Sequence, residues 1–145
     1  NIFPYYGCSV ERPSRIIKGD DPNAPEIMEN IIKILGATPI DTVYKTRCCG
    51  GTALLVDEEI SHGLCGKLIN DAREKNADCI LVVCPLCSMA LENASLKLGS
   101  DIPVIYFTQL IGLAFGFTPE ELHLHKHLIS TQKFIDKIKM DKVMQ

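Results

Sequence analysis

Apolar and polar positions along the chain follow two periods in turn, one near 2 and one near 3.6, which predicts strands alternating with helices. Ile2 to Tyr6 is a short apolar run ending at Gly7 and Cys8, the pattern of a strand with a turn after it. Residues 11–22 are polar, contain two prolines and Gly19, and read as a loop. Met28, Ile31, Ile32 and Leu35 then recur at helical spacing, with Asn23 as a candidate cap, Pro25 in the first turn and Gly36 as the stop. Ile40 to Tyr44 predicts a second strand, running into Arg47-Cys48-Cys49-Gly50-Gly51.

The second half repeats the alternation. Asp57 opens a longer helix with Ile60, Leu64, Leu68 and Ala72 on one face, closed by Asn76 and Asp78. Cys79 to Val83 is a continuous apolar run, as in a strand buried on both faces, and ends at Cys84-Pro85-Leu86-Cys87. Ser88 to Leu98 reads as a helix stopped by Gly99, Pro103 to Phe107 as a fourth strand, and Thr108 to about Phe115 as a further helix. Thr118-Pro119-Glu120-Glu121 has the form of a capping box, and Phe134, Ile135 and Ile138 mark a final amphipathic helix with lysines outside. The expected fold class is α/β: a small, mostly parallel sheet flanked by helices, with right-handed crossovers. Cys8, Cys48–Cys49 and Cys84 each follow a predicted strand, so their loops should meet at the carboxyl ends of the strands.

Composition narrows the function classes. The 145 residues suit one compact domain, and 46% hydrophobic with 23% charged residues is enough for an ordinary core. A net charge of −3 argues against a nucleic-acid surface. The longest apolar stretch, Val104 to Phe117, is broken by Thr108, Gln109 and glycines and is too short for a membrane span. No basic segment followed by an apolar run opens the chain, and seven cysteines are not a small secreted disulfide framework, so a reducing cytoplasm is the expected location. The opening Asn1-Ile2-Phe3 reads as a chain already under way, with further sequence expected on its N-terminal side.

Five of the seven cysteines form one spaced pattern: Cys8, the pair Cys48–Cys49 before Gly50, and Cys84-Pro85-x-Cys87. A CxxC at a strand–helix junction, with Cys84 near the N-cap and Cys87 in the first turn, favours anionic sulfur through backbone N–H groups and the helix dipole. On its own it would suggest a dithiol. The adjacent Cys48–Cys49 changes that reading, because neighbouring side chains on an extended backbone point apart and suit a large object better than a single ion. Gly50 and Gly51 permit close backbone approach. Zinc is satisfied by four ligands, so five candidate thiolates overfill a mononuclear site, and iron–sulfur is the better chemical match, with zinc as the alternative. Arg47 and Arg12 are available to offset the charge of an anionic cofactor, or are solvated surface residues.

Other residues favour plainer readings. Cys65 and Cys79 read as buried packing thiols, outside the motif. His62 reads as a surface or capping residue. His123, His125 and His127 alternate like a metal tract but read as a solvated or subunit-facing segment. Gly112 and Gly116 suggest tight packing. No phosphate-cradling loop, dinucleotide fingerprint or nucleophile elbow is present.

The pattern Cys8, Cys48-Cys49-Gly50, Cys84-Pro85-x-Cys87 resembles the cysteine-rich CCG domain family, whose best-known member is the B-type subunit of heterodisulfide reductase. Tyr6-Gly7-Cys8, Arg12-Pro13 and the stretch Pro103 to Gly116 are similar to that protein towards its C-terminal end. The resemblance implies that Cys8, Cys48, Cys49, Cys84 and Cys87 ligate a non-cubane [4Fe–4S] cluster. It further implies reduction of a small-molecule disulfide, the mixed disulfide of coenzyme M and coenzyme B, with electrons arriving through ferredoxin-like and flavin-containing subunits. The family member has two such motifs and this chain has one, so a substrate site shared between two clusters is in question, and a longer parent chain is expected. Three other functions compete: a CCG-type electron-transfer subunit of a respiratory dehydrogenase for lactate, glycolate, glycerol 3-phosphate or succinate; a structural zinc module; and a dithiol oxidoreductase using Cys84 and Cys87 alone.

Overall fold

A computed structural model describes residues 1–8, 10–16 and 19–143, the last three for their backbone only. Its centre is a three-stranded parallel sheet: β1 (Ile2–Tyr5), β2 (Cys79–Val82) and β3 (Val104–Tyr106), in the order β1-β2-β3. Ile2 pairs with Cys79 and Tyr5 with Val82; Ile80 pairs with Val104 and Val82 with Tyr106. Around it lie α1 (Ile27–Ile34), α2 (Glu58–Glu74), α3 (Pro85–Leu98), α4 (Phe107–Ala114) and α5 (Gln132–Val143), with short 3₁₀ turns at Gly51–Ala53 and Leu124–Lys126.

The alternation of side chains along each strand builds two cores. Phe3, Tyr5, Ile80, Val82 and Val104 face Cys65, Leu68, Ile69 and Ala72 of α2 and Ala90, Leu91 and Ala94 of α3. Ile2, Tyr6, Cys79, Leu81 and Ile105 face the other way, onto Met28 and Ile32 of α1, Leu110 of α4, and Phe134 and Ile135 of α5. The sheet is thus covered on both faces, which is why its strands read as unbroken apolar runs. Pro4 is tolerated because β1 is an edge strand. The N–H groups of Ile2 and Tyr6 point to the outer edge, onto Thr38 O and Lys45 O, and Pro4 shares their parity, so no bond to β2 is lost.

Several expectations are corrected. Ile40–Tyr44 is not a strand. The chain touches β1 only at a bridge between Ile2 and Pro39, then turns away. Thr42 is the cause: its hydroxyl accepts the Tyr44 N–H at 3.0 Å and donates to Asp71 at 2.6 Å, competing with a ladder, while Val43 is left in solvent. The start of α1 is held by Asp20 rather than Asn23; its carboxylate accepts the N–H groups of Glu26 and Ile27. Asp57 does cap α2, accepting from Ile60 N at 3.2 Å, but the buried face is rotated. Ile60 is exposed, and Ser61, His62, Cys65, Leu68, Ile69 and Ala72 face inward. Thr118 and Glu121 form the reciprocal bonds of a capping box, yet only turns and the Leu124–Lys126 3₁₀ turn follow. Gly112 packs as tightly as expected, since a Cβ there would lie 2.5 Å from Leu122.

Candidate metal centre

The loops after β1 and β2 leave the same end of the sheet, one carrying Gly7 and Cys8 and the other Cys84. Cys84 is the N-cap of α3, Pro85 its first residue, and Cys87 lies buried in its first turn. The Cys48–Cys49 loop arrives without a strand of its own. The backbone ties it in place: Tyr6 N and Gly7 N both donate to Lys45 O, at 2.9 and 3.2 Å, and the Tyr5 hydroxyl donates to Arg47 O at 2.6 Å. Gly50 then takes a left-handed conformation (φ 71°) that turns the chain into the 3₁₀ turn against α2.

This convergence brings Cys49 Sγ to 3.3 Å from Cys87 Sγ, across 38 residues of sequence. Cys8 and Cys48 are exposed, Cys84 is half-buried, and Cys49 and Cys87 are buried. The thiols feel one another. Burial, and then the charges of Cys48, Cys49 and Cys84, push the Cys8 thiol up. Cys87 is pushed up by its hydrogen bond with Cys49, by burial, and by the neighbouring charges of Cys49 and Cys84. Cys49 moves the opposite way, because its hydrogen bonds with Cys87 and from Gly51 N–H outweigh burial.

The surroundings fit an anionic sulfur-ligated group. Gly50 N–H donates to Cys48 Sγ and Gly51 N–H to Cys49 Sγ, each at 3.3 Å. Such bonds stabilise thiolate and tune an attached cluster. The glycines clear the space: a Cβ on Gly7 would stand 3.0 Å from Cys87 Sγ, and one on Gly51 would stand 3.3 Å from Cys49 Sγ and 2.8 Å from Leu86 Cγ. Among the described residues no three Cys, His, Asp or Glu side chains are placed to share one metal ion. The Cys49–Cys87 approach is a close sulfur–sulfur contact within the motif. Arg12 and Arg47 are exposed at the ends of the two loops, and neither forms an ion pair among the described residues.

The remaining candidates fall outside the centre. Cys65 is fully buried and its thiol donates to Cys49 O at 3.1 Å; burial pushes it up to about 12. Cys79 is buried in the opposite core, where burial likewise keeps it protonated. His62, expected at the surface, is buried, with Nε2 2.7 Å from Asn93 Oδ1. His123 and His125 are exposed, but the His127 ring is buried between Glu92 Oε1 at 3.0 Å and Gln109 Oε1 at 2.9 Å. Sequence periodicity held no hint of that buried pair, because both residues sit in polar stretches.

The Gly51 environment yields a direct test. Gly51→Ala forces a methyl onto Leu86 and Cys49 Sγ, so unfolding in denaturant should show a loss of about 1–3 kcal/mol. Metal analysis of the same variant should show reduced loading, since the displaced sulfur is one of the buried pair.

No helix among the described residues is long and apolar enough to cross a membrane. The family model for the CCG Cysteine-rich domain matches residues 3–92, which include all five motif cysteines. Among curated relatives, the B-type subunit of the ferredoxin/F420H2-dependent CoB-CoM heterodisulfide reductase of Methanosarcina acetivorans is 32% identical over 92% of this chain and 47% of its own length. The corresponding subunit of the ferredoxin:CoB-CoM heterodisulfide reductase of Methanosarcina mazei is 28% identical over 92% of the chain and 47% of its own length. The 8-methylmenaquinol:fumarate reductase membrane anchor subunit of Wolinella succinogenes is 33% identical over 91% of the chain and 49% of its own length. The chain spans about half the length of the curated relatives it matches, and all three are subunits of reductases. A sheet whose loops gather Cys8, Cys48–Cys49 and Cys84–Cys87 at one end, matched over those same residues, places this chain in the cysteine-rich CCG domain family.

Proposed function

We propose that this chain is the cluster-bearing unit of a heterodisulfide reductase, one of two such motifs in a longer chain. In this reading Cys8, Cys48, Cys49, Cys84 and Cys87 hold a non-cubane [4Fe–4S] cluster that reduces the mixed disulfide of coenzyme M and coenzyme B. The observation that carries the reading is the 3.3 Å approach of Cys49 and Cys87, with the other three sulfurs on the loops around it. When bound, the cluster supplies electrons singly and an iron that can take a substrate sulfur. The protein's own part is to place and polarise. Gly50 and Gly51 N–H groups hold the sulfurs of the adjacent pair, and Tyr5 and Cys65 pin the loop through Arg47 O and Cys49 O. Arg12 and Arg47 offset negative charge at the rim. Cys8 and Cys48 lie on the open side, where a small disulfide can approach. The partners in this reading are a ferredoxin-like iron–sulfur subunit and a flavin-containing subunit, in the cytoplasm.

A second reading has specific support: the similarity to a fumarate reductase subunit favours a relay, in which the cluster passes electrons and meets no substrate. One experiment separates the two. The full-length protein, purified anaerobically, is analysed for iron and sulfide and then assayed with reduced viologen and the coenzyme M–coenzyme B disulfide. Cluster with turnover supports the reductase. Cluster without turnover supports the relay. Absence of iron overturns both.

A further inference from the structure

Buried hydroxyls normally find partners, and each exception calls for a cause. Two buried serines among the described residues have none: Ser61 Oγ on α2 and Ser95 Oγ on α3. Both residues are fully buried. Their positions differ. Ser61 lies directly under the Cys48-Cys49-Gly50 turn, with its Cα 3.1 Å from where a Gly50 Cβ would stand. Cys65, one helical turn on and so on the same face of α2, donates its thiol to Cys49 O. The first turns of α2 thus form the floor of the adjacent-cysteine loop. Ser95 lies eight residues beyond Cys87, about 12 Å further along the axis of α3. A helical serine commonly returns its hydroxyl to the carbonyl one turn back, and Ser61 does not.

We propose that Ser61 is a hydrogen-bond donor kept in reserve for the cofactor: its hydroxyl, orphaned under the turn, donates to sulfur of the Cys48–Cys49 side when the cluster is in place, and so raises the cluster's reduction potential. This rests on the reading of the five cysteines as cluster ligands. The physics is that of any donor beside an anionic sulfur. It offsets charge most in the reduced, more negative state, and therefore favours reduction. Ser61 acts through the ligands and is a positioning residue, not a catalytic one. The cluster-free protein carries the cost of an unsatisfied buried hydroxyl, which the cluster relieves.

Two variants in the full-length protein test this. Ser61→Ala removes only the oxygen. It should raise the melting temperature of the cluster-free protein, shift the midpoint potential of the loaded protein to more negative values, and abolish one exchangeable proton coupling in ENDOR spectra compared in H₂O and D₂O. Ser95→Ala, which removes the remote orphan, should also raise the cluster-free melting temperature but leave potential and coupling unchanged. If Ser61→Ala holds iron with the wild-type potential and the coupling intact, the inference fails while the cluster assignment stands. A lowered melting temperature in cluster-free Ser61→Ala would also overturn it, because the hydroxyl would then have a structural partner. Wild-type protein without iron would remove both the inference and the reading beneath it.

Discussion

Replacing Cys49 with alanine should empty this motif's site, so that the full-length protein loses the iron and the EPR signal of this cluster. Of the five motif cysteines, Cys49 sits at the junction of all three loops. Its sulfur contacts Cys87, accepts Gly51 N–H at 3.3 Å, and lies next to the Tyr5 hydroxyl, which itself anchors Arg47 O. Removing it leaves a gap at the one place where the β1, Gly50 and α3 segments meet, and no other thiol can move in. The nearest spare, Cys65, is committed to Cys49 O from inside the core and stays protonated. Cys65→Ala therefore serves as the contrast and should retain its iron. An unchanged EPR signal in Cys49→Ala would show that the ligand assignment is wrong.

The second large effect is one of stability, and lies away from the sulfurs. His127 should be worth about 2–4 kcal/mol, because removing its ring takes away two buried hydrogen bonds and leaves their partners unsatisfied. Glu92 and His127 side chains are 9% and 6% exposed. Glu92 Oε1 also accepts Leu128 N–H, and Gln109 Oε1, on the other side of the ring, already accepts Tyr106 N–H while Gln109 Nε2 donates to Leu122 O. The His127 ring thus bridges Glu92 of α3 and Gln109 of α4, one at each ring nitrogen. His127→Ala leaves the Glu92 carboxylate buried with a single backbone donor and frees the segment around Leu124 from α3 and α4. Glu92→Gln keeps an acceptor for both donors and should cost only about 1 kcal/mol. Denaturant unfolding of the two variants measures the difference; equal losses would argue against His127 as the bridge between Glu92 and Gln109.

The three true strands and the longer helices were legible in the sequence because burial on two faces leaves unbroken apolar runs at β1, β2 and β3. Cys84 and Cys87 were legible for a local reason: proline after a strand starts a helix, and spacing puts Cys87 in its first turn. Ile40–Tyr44 misled because alternation also occurs where a threonine hydroxyl turns the chain, so the Cys48–Cys49 loop reaches the sheet end through Lys45 O and Arg47 O rather than a strand. The inward face of α2 was misplaced because its core side includes Ser61 and His62, polar residues that a hydrophobic stripe does not count. His127 was unreadable for the same reason: its partners, Glu92 and Gln109, lie 35 and 18 residues away, and only the folded chain brings them together.

The most direct test of the central claim is anomalous scattering at the iron absorption edge from crystals of the anaerobically purified protein. The account predicts several iron peaks in one compact group, bonded to the sulfurs of Cys8, Cys48, Cys49, Cys84 and Cys87. A single metal peak held by four or fewer of these cysteines, or no iron peak near the Cys49–Cys87 contact, would contradict it.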